Sequence, residues 1–141
     1  MQQNPKVINI GITNANCDLA YALIPMLLNE SDTIFGNCTG IGFHLLSNYK
    51  NLPRLEALSM ELWDSVHPNL HCKHLFWGFT DVAVVYGSQE EKILINCDLI
   101  IIIDNSILSQ TELNSNQNPL ELYKFHSEVL KNVVKPDCIV I

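Results

Sequence analysis

No glycine stands between Gly11 and Gly36. Yet residues 10–22, I-G-I-T-N-A-N-C-D-L-A-Y-A, run from an apolar stretch through small and polar residues into a helix-like segment. A phosphate loop of the usual glycine-rich kind is excluded there. Basic residues are scarce as well. Eight Lys and Arg face fifteen Asp and Glu, for a net charge of −7. With no basic run, binding to nucleic acid or to an anionic membrane is not expected. The five cysteines, Cys17, Cys38, Cys72, Cys97 and Cys138, never fall in CxxC spacing. Scattered and odd in number, they read as free thiols in a reducing compartment. No apolar run approaches the roughly 20 residues of a membrane span. The start, MQQNPKVINIGI, lacks the basic residues and long apolar core of a signal peptide. A cytoplasmic, soluble protein is the expectation.

What is present is a globular composition. The 141 residues are 48% hydrophobic, with six Gly and six Pro, which suits one domain over 1–141. Val7–Thr13 is rich in β-branched residues and alternates, so it predicts a strand. Leu19, Leu23, Met26 and Leu27 recur at helical spacing over Cys17–Asn29. Pro25 inside that pattern predicts a kink or an early end. After the turn-rich Phe35–Gly42, Ile41–Leu46 reads as a second strand. Arg54–Trp63 places Leu55, Leu58 and Leu62 on one helical face. Val82–Tyr86 reads as a third strand and Gln89–Asn96 as a short helix.

Leu99–Ile103 has no polar alternation, as expected of a central strand buried on both faces of a parallel sheet. A polar loop, Asp104–Asn118, leads to Pro119, which opens a helix through Val134. Pro136 stops that helix, and Cys138–Ile141 begins one more strand. Strands alternating with helices imply an α/β fold with a parallel sheet and right-handed crossovers. Ending on a buried-type strand suggests a domain that is incomplete at its C-terminus.

The ordered blocks resemble the N-terminal half of cytosolic-type malate dehydrogenases, in the lactate/malate dehydrogenase family. That branch carries T-G-A-A-G-Q-I-A-Y-S-L-L and then V-F-G. Here Thr13-Asn14-Ala15-Asn16-Cys17-Asp18-Leu19-Ala20-Tyr21-Ala22-Leu23-Ile24 is followed by Ile34-Phe35-Gly36. The family's L-L-D becomes Leu45-Leu46-Ser47, and its M-E-L-x-D-x-x-x-P-x-L appears as Met60 through Leu70. D-V-A-I-L-V matches Asp98–Ile103, and K-P-D-V-K-V matches Lys135–Val140. The likeness spans nearly the whole chain apart from an insertion around His71–Thr80. It implies a Rossmann-type parallel sheet with flanking helices and an NAD site.

That likeness assigns Thr13, Asn14, Cys17, Asp18, Leu19, Ser47 and Asp104 to cofactor positions. Several have changed chemistry. The family's two glycines permit a tight turn and close approach of backbone to the pyrophosphate, and Asn14 and Cys17 replace them. Asn tolerates positive φ, so the turn is expected to survive. Asp18 stands where the family has Gln and is expected to cap the helix, its carboxylate favoured by the dipole by about 0.3–1 kcal/mol. An anion there repels a pyrophosphate. Ser47 replaces the acid that accepts both ribose hydroxyls. A loss of a few kcal/mol, at about 1.4 per tenfold, carries a micromolar cofactor into the millimolar range. Segment 104–118 contains no Lys or Arg and two acids, so the arginine forks that hold a dicarboxylate in the family are missing. The family's catalytic Asp and His belong to a half outside this sequence, so no catalytic residue is assigned.

Other clusters read as structural. His67, His71, Cys72 and His74 crowd together, but Pro68 interrupts them and their order matches no metal motif, so no metal is expected. Glu61 and Asp64 read as a solvated helix face. Trp63, Phe76, Trp77 and Phe79 read as core or interface, since Lys73 is the one nearby cation for stacked bases. Cys17 sits at a helix start, where a thiol is activated, and neighbouring Asp18 opposes that. The favoured function is an interaction module with eroded cofactor and substrate sites and weak or absent NAD binding. Homo- or heterodimerisation is expected through the helix at 55–64, with Leu58, Leu62 and Trp63 as contacts. The alternatives are a partial NAD-dependent malate dehydrogenase lacking its catalytic half, and a nucleotide sensor that binds NAD without chemistry.

Overall fold

A computed structural model describes residues 6–36, 38–47, 49–71, 75–79, 94–103, 127–128, 130–132 and 134–141. Among them are five strands, β1 (Lys6–Ile12), β2 (Cys38–Ser47), β3 (Phe76–Phe79), β4 (Leu99–Ile101) and β5 (Ile139–Val140). All pair in parallel, in the spatial order β3-β2-β1-β4-β5. Helices α1 (Asp18–Asn29), α2 (Ser31–Phe35) and α3 (Leu52–Asp64) connect the first strands, with a 3-10 turn at Tyr49–Asn51. This is the expected Rossmann-type sheet.

Strand β1 shows how the two faces arise. Successive side chains point to opposite faces. Ile8, Ile10 and Ile12 therefore enter one core with Phe43 and Leu45 of β2, Ala20, Ile24 and Leu27 of α1, and Leu55, Leu58 and Leu62 of α3. Each fully buried aliphatic chain contributes about 1.5–3 kcal/mol. The opposite face holds Leu46, Leu94, Cys97 and Ile100. Gly11 lies on that side, and a Cβ there would stand 2.7 Å from Leu94 Cδ2 and 3.2 Å from Cys97 Sγ. A side chain at 11 would oblige the Leu94 side chain to shift. Burial pushes the Cys97 thiol up to about 12, with smaller contributions from Cys138 and Asp98.

Several expectations change. Helix α1 runs on through Pro25 to Asn29. Proline removes the amide that would bond the Tyr21 carbonyl. Both residues lie on the exposed side, where water can satisfy that carbonyl. Strand β2 begins at Cys38, inside the stretch read as turn, because Gly40 adopts φ 149° and the register with β1 slips between Lys6 and Val7. The segment read as an insertion contains β3, paired with β2 from His44↔Phe76 to Ser47↔Phe79. The central strand is β1, and β4 is its neighbour. The strand expected at 82–86 and the loop 104–118 lie outside the described residues. So do residues 89–93 of one expected helix and 119–126, 129 and 133 of the other.

At the start of the sheet one carboxylate joins three elements. Asp98 Oδ1 accepts from Lys6 Nζ at 2.6 Å and Lys135 Nζ at 2.5 Å, and its Oδ2 accepts from the Asn9 amide at 2.9 Å. The Asp98 side chain is 14% exposed. Burial pushes its carboxyl up, but the Asn9 amide and the two ammonium groups outweigh this and hold it below the ordinary range. The hydrogen bond that Lys135 donates to Asp98 pushes its own value up. The Asp98 contribution is thus complete above the unfolded carboxyl value, about 3.9, and is lost as pH falls through the lower native value. Lys135 loses its contribution only at the alkaline end, above the usual lysine range. Asp98→Asn is expected to lower stability by about 2 kcal/mol at neutral pH. Urea midpoints should show that gap closing as pH falls below the ordinary carboxyl range. A gap independent of pH would remove the charge from this account.

Candidate functional site

The chain runs from β1 outward to β3 on one side, then crosses to β4 and β5 on the other. The order therefore reverses between β1 and β4, and in open α/β sheets the crevice beyond the carboxyl ends at such a point receives ligands. The loop 13–17 fills this place between β1 and α1.

Each loop residue has a defined partner or seat. Thr13 donates its amide to the Ile101 carbonyl at 3.0 Å, and its Oγ1 accepts from the Ile103 amide at 3.0 Å. Asn14 adopts φ 49°, the left-handed turn that its side chain tolerates. Its Nδ2 donates to the Ile103 carbonyl at 2.5 Å. Ala15 is fully buried and donates its amide to the Leu46 carbonyl at 2.9 Å. Ser47 Oγ donates to Asn16 Oδ1. The loop thus ties the end of β1 to β4 through residues 13 and 14, and to β2 through residues 15 and 16.

Two expected roles are corrected. Asp18 does not cap α1: Cys17 is the N-cap residue, no side chain makes a cap hydrogen bond, and exposed Asp18 is the first helical residue. One position inside the helix, a carboxylate acts on the dipole alone. Cys17 was expected to crowd the phosphates beside Asn14. It packs into the core of α1 and α3 instead, at the point where a third glycine of such loops serves helix–strand packing. Leu19 is exposed, and Asp104 lies outside the described residues.

The donors left at the mouth are backbone groups. The first intrahelical bond runs from the Tyr21 amide to the Cys17 carbonyl at 3.1 Å. The amides of Asp18, Leu19 and Ala20 therefore have no acceptor inside the helix. Tyr21 donates its hydroxyl to Glu61 Oε2 at 2.7 Å, tying α1 to α3. That hydrogen bond to a carboxylate, with the adjacent negative charge, pushes the phenol pKa up. Glu61 and Asp64 are exposed, as the solvated-face reading requires.

His67 of the histidine cluster is committed elsewhere. His67 Nδ1 accepts from the Asn69 amide at 3.1 Å, so Nε2 carries the proton toward Asn29 Oδ1 at 3.1 Å. Among the described residues no group of three or more His, Cys, Asp or Glu could hold a metal ion. Cys72 and His74 lie outside those residues. No helix among them is long and apolar enough to cross a membrane.

Sequence reasoning missed Asn16 as the partner of Ser47, and Ile103 as the acceptor for Asn14. The available signal was two short amides flanking Ala15, able to reach neighbouring strand ends. At the end of β2 the neutral Ser47 is bonded to Asn16, and the Asn14 side chain spans the reversal point.

No family model matches the chain, and no curated protein matches it in sequence. Solved structures do match in fold. A malate dehydrogenase from Naegleria fowleri superposes with a TM-score of 0.74 at 18% identity, covering 98% of this chain and 38% of that one. The lactate dehydrogenase of Trichomonas vaginalis, in complex with NADH and oxamate, gives 0.68 at 21% identity, covering 95% and 37%. An apo variant of that enzyme gives 0.66 at 22% identity. The chain thus has the Rossmann fold of malate and lactate dehydrogenases, and spans well under half the length of those proteins.

Asn14 can be tested through stability. Asn14→Gly loses the bond to Ile103, about 1 kcal/mol, while keeping an easy positive φ. Asn14→Ala adds roughly 1–2 kcal/mol of backbone strain. Chemical denaturation is expected to rank the wild type above Gly and Gly above Ala. Equal stability of the two variants would remove the strained turn.

Proposed function

We propose that this chain is a dehydrogenase-type Rossmann domain that has lost its NAD-specific contacts and serves as an interaction module, without dehydrogenase turnover on its own. The observation that carries the reading is the Asn14 amide on the Ile103 carbonyl, across the β1/β4 crevice. Ser47, neutral and bonded to Asn16, adds to it. Segment 104–118, with no Lys or Arg, offers no fork for a dicarboxylate.

A second reading is a partial NAD-dependent malate dehydrogenase whose catalytic half lies outside this sequence. The unpaired amides at Asp18, Leu19 and Ala20 favour it, because they remain suited to an anion. NADH fluorescence titration separates the two. No saturable change is expected up to about 1 mM, where binding is worth only about 4 kcal/mol. Binding in the micromolar range would overturn the interaction-module reading and favour the enzyme.

The module reading includes a partner surface, for which we propose a second copy of this chain. Leu58 and Leu62, expected as contacts, are buried in the protein's own core. Met60 and Trp63 on the same helix are 66% and 57% exposed. Tyr21 and Met26 of α1 are exposed as well, and the Tyr21–Glu61 bond joins the two helices. Exposed apolar side chains on two linked helices suit an interface. Light scattering after size exclusion is expected to give a dimer that Trp63→Ala weakens about tenfold, as central aromatic contacts do. A strict monomer, or a dimer indifferent to Trp63→Ala, would exclude this face.

A further inference from the structure

The second face of the sheet carries two thiols that neither the crevice nor the partner surface uses. Cys97 precedes β4, is fully enclosed, and clusters with Leu46, Leu94 and Ile100. Cys138 precedes β5, is half-buried, and packs against that same cluster. Strand geometry puts both there. Val140 pairs with Ile100, and side chains two residues apart along a strand share a face. Cys138 therefore points to the Ile100 side, where Cys97 Sγ underlies Gly11.

The register also brings them close. Leu99 pairs with Ile139, and the Ile139 amide donates to the Asp98 carbonyl at 3.0 Å. Cys97 and Cys138 are thus offset by one strand spacing and one residue along the chain. In regular parallel strands that offset separates Cα atoms by about 6 Å, within the range a disulfide bridges. Burial pushes the Cys97 thiol up to about 12, and a charge on Cys138 adds to this. Burial pushes the Cys138 thiol up as well, against the pull of the Lys135 ammonium. Thiols that resist ionisation exchange slowly and leave poorly, so a bond between them forms slowly and then resists reduction.

We infer that Cys97 and Cys138 form a redox staple, a disulfide that locks β5 onto β4 under a low-molecular-weight disulfide oxidant such as oxidised glutathione. Half-buried Cys138 reacts first. Its thiolate attacks one sulfur of the oxidant, the oxidant's S–S bond breaks, and one glutathione leaves and takes up the proton. Cys97 loses its proton as the sheet opens locally, and attacks the Cys138 sulfur. The mixed disulfide breaks, and the second glutathione leaves with that proton. Both protein thiols are oxidised, and the oxidant is reduced to two thiols.

The test incubates the reduced whole chain with oxidised glutathione in native buffer, followed by acid quench, denaturing alkylation and peptide mass spectrometry. The Cys97–Cys138 cross-link is expected to exceed any other cysteine pair about tenfold, because the fold holds the two side by side. Urea should abolish that preference by removing the register. Cys97→Ala should halt at a glutathione adduct on Cys138, and Cys138→Ser should leave Cys97 reduced. No cross-link, an adduct on Cys138 that never passes to Cys97, or linkage spread evenly among the five cysteines would each overturn the inference. The wild-type map decides the question even where a variant fails to fold.

Discussion

Strand β1 pairs on both edges, with β2 along its whole length and with β4 at its carboxyl half. Everything else is arranged around keeping it flat against both neighbours. Its two ends are fixed by different chemistry. At the start, the Asp98 carboxylate gathers Lys6, Lys135 and the Asn9 amide. At the finish, neutral amides and a hydroxyl close the loop onto β2 and β4. Between them, Gly11 lets the second face approach within van der Waals distance.

The neutral end is where a Rossmann protein ordinarily keeps its ligand. A binding crevice leaves donors and acceptors unsatisfied until something arrives. Here the loop side chains meet one another's needs, with Asn14 on Ile103 and Asn16 on Ser47. A buried polar group without a partner costs about 1–3 kcal/mol, so internal satisfaction stabilises the fold while lowering the gain from a ligand. Asn14 and Asn16 thus turn their side chains to neighbouring strand ends. The amides at the head of α1 have no acceptor inside the helix.

Much of the framework was legible in the residues. The alternation of Ile8, Ile10 and Ile12, the Leu55/Leu58/Leu62 face and the apolar 99–103 run each specify their element by periodicity. Asn14 announced a left-handed turn, and its φ of 49° agrees. What misled were positions where context outweighs local signal. Pro25 is tolerated because its missing bond faces water. The aromatic stretch at 76–79 gains strand pairing from β2, which no periodicity within four residues can reveal. Asp18 and Cys17 differ from expectation by one step along the helix start, enough to send one side chain to solvent and the other into the core. The pairings of Asn14 and Asn16 join residues 89 and 31 positions apart and leave no trace in spacing.

The environment of Cys97 has a practical consequence. Its sulfur lies beneath Gly11, fully enclosed, with its ionisation held near 12. Alkylating reagents attack the thiolate, so this sulfur is inert while β1 and β4 stay joined and becomes reactive once they part. The protein therefore carries a natural stopwatch at its centre. The rate at which Cys97 takes up a label times the opening of the sheet's middle pair, with no introduced dye or substitution needed to read it.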